Sequence, residues 1–491
     1  MARAGWPALV EGAPLTPAVV QLDVSDMVQE PAPTMPVLDG VSIIAGTAIG
    51  GGFLALPSVT APMGVGPAVV LMLLVWAFLA TTGIAYAEAA SMSLDGGSED
   101  LGDGTGSVSV ASITERTFGE RAAYACSLAF AAQMLAVVTA QVVKAGEILQ
   151  QITGLPYAPG CLLASIVVGG FTLRAPPRVV ESANTALTAA LTLGFFALVA
   201  STLAAAFFGA SAASPALASV WARLQYADWS LLLPGRGVTW AAPIFLNLLC
   251  FGQAIPLVVE RMAPPARPTA GPDSPTPLAE RAAAMRRTRK AVLIGSAIPL
   301  VLSTLWIVVT SSVLPPAADS AMDPVLALIA SAPPVAIPVT VMAGGAIGTT
   351  LIASYLTIGQ FIADFLCLVT GYCSPRDQRV ARLISVGLPV AVACGGPTLY
   401  LPLLSFAGAF PTTFLYGLLP PLAALVLRRA ASRDAPPAGS SAGTAAPPLV
   451  RWLPGGRAPL VVAGLVAIAL LLTNLAGVLA PVLAAVLAAL R

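Results

Sequence analysis

A glycine cluster interrupts an apolar stretch that is long enough to cross a lipid bilayer. Residues 38–62 are largely apolar, yet their middle reads Ala45-Gly46-Thr47-Ala48-Ile49-Gly50-Gly51-Gly52, and each glycine costs about 1 kcal/mol against alanine in a helix interior. In lipid such a break must face a protein-lined cavity, because its N–H and C=O groups find no water. Broken helices of this kind hold carboxylates and cations. We therefore predict half of a substrate site; the alternative is a glycine-lined packing seam. The predicted residues are Gly46, Thr47, Gly50, Gly51 and Gly52.

A second apolar stretch carries a similar interruption. Residues 238–262 contain Phe251, Gly252 and Gln253 in mid-span, followed by Pro256, and proline removes a helix hydrogen bond. We predict that the backbone at 251–253 completes the site and that Phe251 stacks on or covers the substrate side chain. Gln253, which can donate and accept hydrogen bonds, is predicted to belong to the pocket. The alternatives are an ordinary core phenylalanine and a simple proline kink.

Two ionisable residues lie three apart in the third apolar stretch. Lys144 and Glu147 share one helix face and could form an ion pair. Ionisable groups at membrane depth are functional candidates, and Glu147 is a candidate proton carrier. For Lys144 we favour the alternative, in which the side chain lies near the outer end of the span and reaches water.

The composition indicates a polytopic membrane protein. Hydrophobic residues make up 57% of the 491 residues and charged residues 10%, with a mean hydropathy of +0.87, whereas globular proteins carry about 25% charged residues. The net charge of +1 argues against a nucleic-acid partner. Histidine is absent and the six cysteines form no C-x-x-C pair, so we expect no metal site, no cofactor and no enzyme activity.

Eleven apolar stretches are long enough to span a bilayer. We predict a disordered cytosolic tail at 1–36, a core of ten spans at 37–428, a flexible cytosolic linker at 429–457, and an eleventh span at 458–491. A second mobile linker is expected at 263–285. Lys and Arg concentrate in alternate loops, which places the N-terminus in the cytosol.

The motifs resemble those of the aromatic amino acid permeases, the tryptophan/tyrosine-specific transport proteins of the amino acid-polyamine-organocation superfamily. The resemblance rests on Gly40-x4-Ala45-Gly46-Thr47-x-Ile49-Gly50-x-Gly52-x-Leu54-Ala55-Leu56-Pro57, Gly146-Glu147-Ile148-Leu149, Asn184, Ile294-Gly295-Ser296-x-Ile298-Pro299-Leu300, Leu305-Trp306, Ser354-Tyr355, Asp364-Phe365-Leu366, Ala407-Gly408-Ala409-Phe410 and Tyr416-Gly417-x-Leu419-Pro420. It implies an all-α, LeuT-like fold with a 5+5 inverted repeat, broken helices 1 and 6, and an eleventh helix. It also implies a proton-coupled symporter of tryptophan or tyrosine working by alternating access.

Two departures from the family pattern concern the substrate site. Family members carry Phe-His in the sixth span where this chain has Phe251-Gly252, and Gln141 stands where an aromatic residue is expected. A broader neutral amino acid substrate is therefore an alternative. LeuT-like folds hold sodium between the first and eighth helices, which makes Ser354 and Thr357 candidates for ion coupling; the alternative is interhelical hydrogen bonding.

The resemblance implies a multi-pass protein of a plasma or inner membrane, or of a plastid envelope if the source is algal or plant. A channel or receptor is a less favoured function, since no filter motif repeats along the chain.

Overall fold

The computed structural model describes residues 35–95, 109–208, 215–233, 236–263, 277–314, 323–370, 375–433, 452–453 and 456–489. Nearly all of these residues are helical. The predicted tail at 1–36 lies outside the described residues except for its last two, and most of the predicted linker at 429–457 lies outside them as well. Those two domain assignments stay predictions.

Eleven spans can be followed along the described chain. They are span 1 (Val37–Ala48, Gly51–Ala55 and Leu56–Thr60), span 2 (Val65–Asp95), span 3 (Glu120–Thr153), span 4 (Tyr157–Arg174), span 5 (Pro177–Phe208), span 6 (Val238–Leu248, Gly252–Ala254 and Ile255–Met262), span 7 (Pro277–Val313), span 8 (Pro333–Thr370), span 9 (Pro375–Ala393), span 10 (Tyr400–Ala407, Gly408–Leu418 and Leu419–Arg433) and span 11 (Ala458–Ala489). Shorter helices connect them at Val110–Phe118, Pro215–Gln225, Trp229–Leu232, Pro324–Ile329 and Pro397–Leu399.

Helices that are long and apolar enough to cross a membrane correspond to most of the eleven predicted spans. Within the described residues, ten spans pass that test when the broken first span is counted once. Span 9 is not among them, and its first half carries Arg376, Asp377, Arg379 and Arg382. It is nevertheless a helix of 19 residues that packs against spans 3, 4 and 8.

Span 7 begins earlier than the sequence predicts. Its helix starts at Pro277, inside the segment 263–285 that we expected to be a mobile linker. Proline is favoured in the first turn of a helix, where its missing N–H is not needed. The charged residues that follow, including Glu280 and Arg281, therefore extend the membrane helix and do not belong to a loop.

The first and sixth spans are both broken, as the glycine pattern predicts. Span 1 stops at Ala48, passes through extended residues Ile49 and Gly50, and resumes as a 3₁₀ turn at Gly51, with a bend of 48°. Span 6 stops at Leu248 and resumes with the 3₁₀ turn Gly252–Ala254. The two breaks are at equivalent places in the two halves of the predicted repeat.

Span 10 contains a π-helical segment that the sequence pattern did not predict. Residues Gly408–Leu418 form it, with Pro411 inside. Gly408 lies against the backbone of Pro243 in span 6, where any Cβ would overlap the Pro243 carbonyl. Wide helical turns of this kind are frequent at functional sites, and this one packs directly against the first half of broken span 6.

A buried ion pair joins spans 2 and 10 near the end of the core. Arg428 donates from Nη2 to Oε2 of Glu88 at 2.7 Å, and its Nε bonds Oε1. The backbone N–H of Trp452 donates to the same carboxylate at 3.3 Å, and Arg428 also bonds the carbonyl of Gly456. Glu88 is thus anchored by a basic group, and the end of the predicted linker is attached to the core.

Arg428→Ala is expected to lower the free energy of unfolding by about 3–5 kcal/mol, because it leaves the buried Glu88 carboxylate without its cation. Thermal unfolding of the detergent-purified protein would measure the loss. The matched control is Arg429→Ala, which removes an exposed guanidinium one residue later. Equal melting temperatures for the two variants would contradict the assignment.

Candidate functional site

A cavity of about 530 Å³ lies at the break of span 1, a volume within the range of about 300–1,000 Å³ found for small-molecule sites. Its walls come from five spans. The lining residues fall within 42–52 of span 1, 133–137 of span 3, 184–192 of span 5, 247–253 of span 6 and 349–357 of span 8. The cavity therefore lies between the two broken helices.

The backbone of Gly51 is held by two side chains from other spans. Its N–H donates to Oγ1 of Thr350 at 2.7 Å, and its carbonyl accepts from the hydroxyl of Tyr400 at 3.1 Å. Thr350 in turn donates to the carbonyl of Ala346 at 2.8 Å. The break is thus stabilised by span 8 on one side and by span 10 on the other.

The predicted residues of span 1 all line the cavity. Gly46 has open space where a Cβ would be, whereas a Cβ at Gly50 would lie 2.7 Å from the Thr350 hydroxyl. Thr47 lies on the wall and donates its own hydroxyl to the carbonyl of Ile43 at 2.7 Å. Gly51 and Gly52 complete this wall.

The predicted residues of span 6 do not all reach the cavity. Gln253 lines it, but Phe251 is 2% exposed and packs against Gly83 of span 2. Gly252 lies against the ring of Tyr416, which leaves no room for a side chain. In this conformation Phe251 and Gly252 are core residues, and their contact with a substrate stays a prediction.

The two hydroxyl residues predicted in span 8 lie on the cavity wall, together with one that was missed. Ser354 and Thr357 line the cavity, and Thr357 donates to the carbonyl of Ala353 at 2.9 Å. The hydroxyl that contacts the span 1 break is that of Thr350, four residues before Ser354. The helical spacing 350, 354 and 357 could have identified it, because such residues share one face.

Two buried glutamines of span 3 face the same region. Gln141 is fully buried against Gly51, and neither atom of its amide has a hydrogen-bond partner among the described residues. Gln133, two turns earlier, is on the cavity wall. Gln141 is one of the departures from the family pattern, whereas Gln133 was not predicted as part of the site.

Lys144 is the centre of a buried charge network on the far side of the break. Its Nζ lies 2.9 Å from Oε2 of Glu147 and 2.8 Å from Oδ1 of Asp323, and 4.8 Å from the centre of the Tyr400 ring. The predicted pair with Glu147 is confirmed. The favoured interpretation of Lys144 as a side chain that reaches water is wrong, because its side chain is 0% exposed.

Asp323 was not predicted as part of the site. It lies between spans 7 and 8, where its Oδ1 also caps the helix Pro324–Ile329 by accepting from the backbone N–H of Val325 at 3.0 Å. An Asp-Pro pair at a helix start was the available signal, but nothing in the sequence places it beside Lys144.

The cavity and the charge network lie on opposite sides of the break. The cavity is lined by the N-terminal parts of spans 1 and 5 and the middle of span 8, with Ser42 and Gly46 exposed. The network is built from the C-terminal part of span 3 and the connection between spans 7 and 8. The structure is therefore open on the side of the N-terminus and closed on the other.

Comparison with solved structures identifies the fold. Two structures of a manganese transporter from Eremococcus coleocola, one with an aromatic bis-isothiourea compound and one of a variant, give TM-scores of 0.54 and 0.55. They cover 90% and 89% of this chain and 85% of theirs, at 15% and 14% identity. With the two broken helices, this confirms the predicted LeuT-like fold.

Comparison with known sequences identifies relatives. A tyrosine-specific transport system of Haemophilus influenzae is 26% identical over 281 residues, which is 55% of this chain. The match spans 57% of that protein's length. Residues 34–263 and 278–436 match the tryptophan/tyrosine permease family. These two segments include both broken helices, the cavity and Lys144, and the chain is a member of the tryptophan/tyrosine permease family.

Proposed function

We propose that the protein is a secondary transporter that carries tryptophan or tyrosine across a membrane by proton symport with alternating access. The observation that carries the proposal is the cavity between two broken helices, open on one side and closed on the other by the Lys144 network. Family membership supports the aromatic amino acid as substrate. The distribution of Lys and Arg supports a cytosolic location for the N-terminal side, to which the cavity opens.

The substrate would bind with its amino acid end at the break of span 1. Half-helix ends present partial charges of both signs there, and glycines allow close approach to the backbone. The N–H and C=O of Gly51 are bonded to Thr350 and Tyr400 in this conformation. Binding would therefore exchange these contacts for contacts with the substrate.

The Lys144 network would couple proton binding to opening of the closed side. One ammonium faces two carboxylates, so the three groups carry a net negative charge that a proton would neutralise. Asp323 also accepts hydrogen bonds from the backbone at the N-terminus of helix Pro324–Ile329, so we take Glu147 as the proton carrier. The Glu147 side chain is 13% exposed, so protons can reach it from that side. Tyr400 connects the network to the carbonyl of Gly51.

Uptake into proteoliposomes tests the proposal. Labelled tryptophan, tyrosine and leucine are offered to the reconstituted chain with an imposed pH gradient or an imposed sodium gradient. We expect a pH gradient alone to drive accumulation of tryptophan or tyrosine. Accumulation that requires sodium would overturn proton coupling and assign ion binding to the hydroxyls of Ser354 and Thr357. Equal uptake of leucine would overturn the aromatic specificity.

A further inference from the structure

The side chain of Gln133, a residue of the cavity wall, contains a buried and unused hydrogen-bond acceptor. It is 4% exposed, lies on the cavity wall in span 3, and its Oε1 has no partner among the described residues. Its Nε2 donates to Oγ1 of Thr412 at 2.9 Å. A buried polar atom without a partner is uncommon in native proteins and calls for an explanation.

The bond to Thr412 determines which end of the amide is available. Thr412 is fully buried in the π-helical segment Gly408–Leu418 of span 10. Because the donor end of the Gln133 amide is used there, Oε1 is the end that remains unpaired. The neighbouring wall of span 3 is apolar, formed by Met134 and Val137. The Gln133 side chain thus places one polar acceptor beside an apolar surface that suits an aromatic ring.

The position of Gln133 suits the far end of an aromatic amino acid. Gln141, which contacts Gly51 at the break, is eight residues further along the same helix, a rise of about 12 Å. An aromatic amino acid with a hydrogen bond at each end spans a comparable length. A substrate whose amino acid end lies at the break can therefore bring the end of its ring to Gln133.

We propose that Gln133 is a specificity-determining residue whose Oε1 accepts a hydrogen bond from the ring N–H of tryptophan or the phenolic O–H of tyrosine. The inference rests on the proposed function and goes beyond it by naming the group that is recognised. A site built to bond a substrate N–H or O–H rejects a ring of the same shape that lacks it, because the buried acceptor is then left unpaired. Phenylalanine should accordingly be a poor substrate.

The experiment compares tryptophan with 3-benzothienylalanine, in which sulfur replaces the ring N–H, and tyrosine with phenylalanine. Their KM values are measured in proteoliposomes for the wild-type chain, Gln133→Met and Thr412→Val. The control is Gln151→Met, an exposed glutamine at the end of the same helix. We expect the wild type and the control to favour the N–H and O–H substrates about 10- to 100-fold. Gln133→Met should bring both ratios close to one.

The outcomes separate this inference from the proposed function. Transport of tryptophan and benzothienylalanine with equal KM by the wild type would overturn the inference and leave the transporter intact. A Gln133→Met variant that keeps the wild-type ratios would also overturn it. If Gln133→Met fails to fold, Thr412→Val provides the test, since loss of the anchor should reduce both ratios. Absence of any aromatic uptake by the wild type would instead contradict the proposed function.

Discussion

Gly50→Leu is expected to abolish uptake of tryptophan and tyrosine, with a fall of at least about 100-fold in a protein that still folds. Gly50 lies in the extended part of the span 1 break, and a Cβ there would approach Oγ1 of Thr350 to 2.7 Å. That hydroxyl holds the N–H of Gly51. The remaining atoms of the leucine would project into the cavity, so the variant would both move the break and occupy the substrate's space.

The control for this variant is Gly387→Leu. Gly387 is exposed in span 9, and a Cβ at this position would meet no atom within 4 Å. The same substitution there should therefore leave uptake within about twofold, as for most surface changes. Both variants are quantified in the membrane before transport is measured. Wild-type uptake by well-expressed Gly50→Leu would show that the substrate does not bind at the break.

Lys144→Met is expected to reduce uptake by more than about tenfold and to make the closed side accessible. The substitution leaves the carboxylates of Glu147 and Asp323 close together without the ammonium that lies between them. Removing one partner of a buried ion pair costs about 3–5 kcal/mol. This cost destabilises the conformation described here. The equilibrium should therefore shift by about 100-fold or more towards conformations in which this side is open.

Labelling of Ser58→Cys by a membrane-impermeant thiol reagent measures this shift. Ser58 donates to Oδ2 of Asp323 at 3.3 Å and lies beside the network. We expect faster labelling when Lys144→Met is added, and no change when Lys290→Met, an exposed lysine of span 7, is added instead. Neutralising both carboxylates together with Lys144 should restore slow labelling and remove the pH dependence of uptake. Unchanged labelling in Lys144→Met would contradict the role of the network.

Local sequence was sufficient to predict the two breaks, whereas the fold class was predicted from the resemblance to the permease family. Glycines at 50–52 and the Gly-Gln pair at 252–253 favoured a break over a packing seam or a kink, and the structure has both breaks there. The resemblance to the permease family depends on the same residues, and the family assignment confirms it. Span 9 was predicted as apolar because its second half is apolar, although its first half is charged.

Contacts between distant residues could not be predicted in the same way. The Lys144–Glu147 pair follows from helical spacing, whereas Asp323 and Tyr400 join it only through the packing of the connection between spans 7 and 8 and of span 10 against span 3. For this reason the sequence alone favoured a Lys144 side chain that reaches water. Phe251 was assigned to the substrate from its place at the break, but the 3₁₀ turn directs its ring towards Gly83.

Substrate protection of a cysteine in the cavity tests the central claim most directly. Ser42→Cys, placed in a chain without its native cysteines, lies on the exposed part of the cavity wall. We expect it to react with an impermeant thiol reagent in the purified protein, and we expect tryptophan or tyrosine, but not an amino acid that is not transported, to slow the reaction in a saturable way. A labelling rate that no transported amino acid changes would contradict a substrate site between the two broken helices.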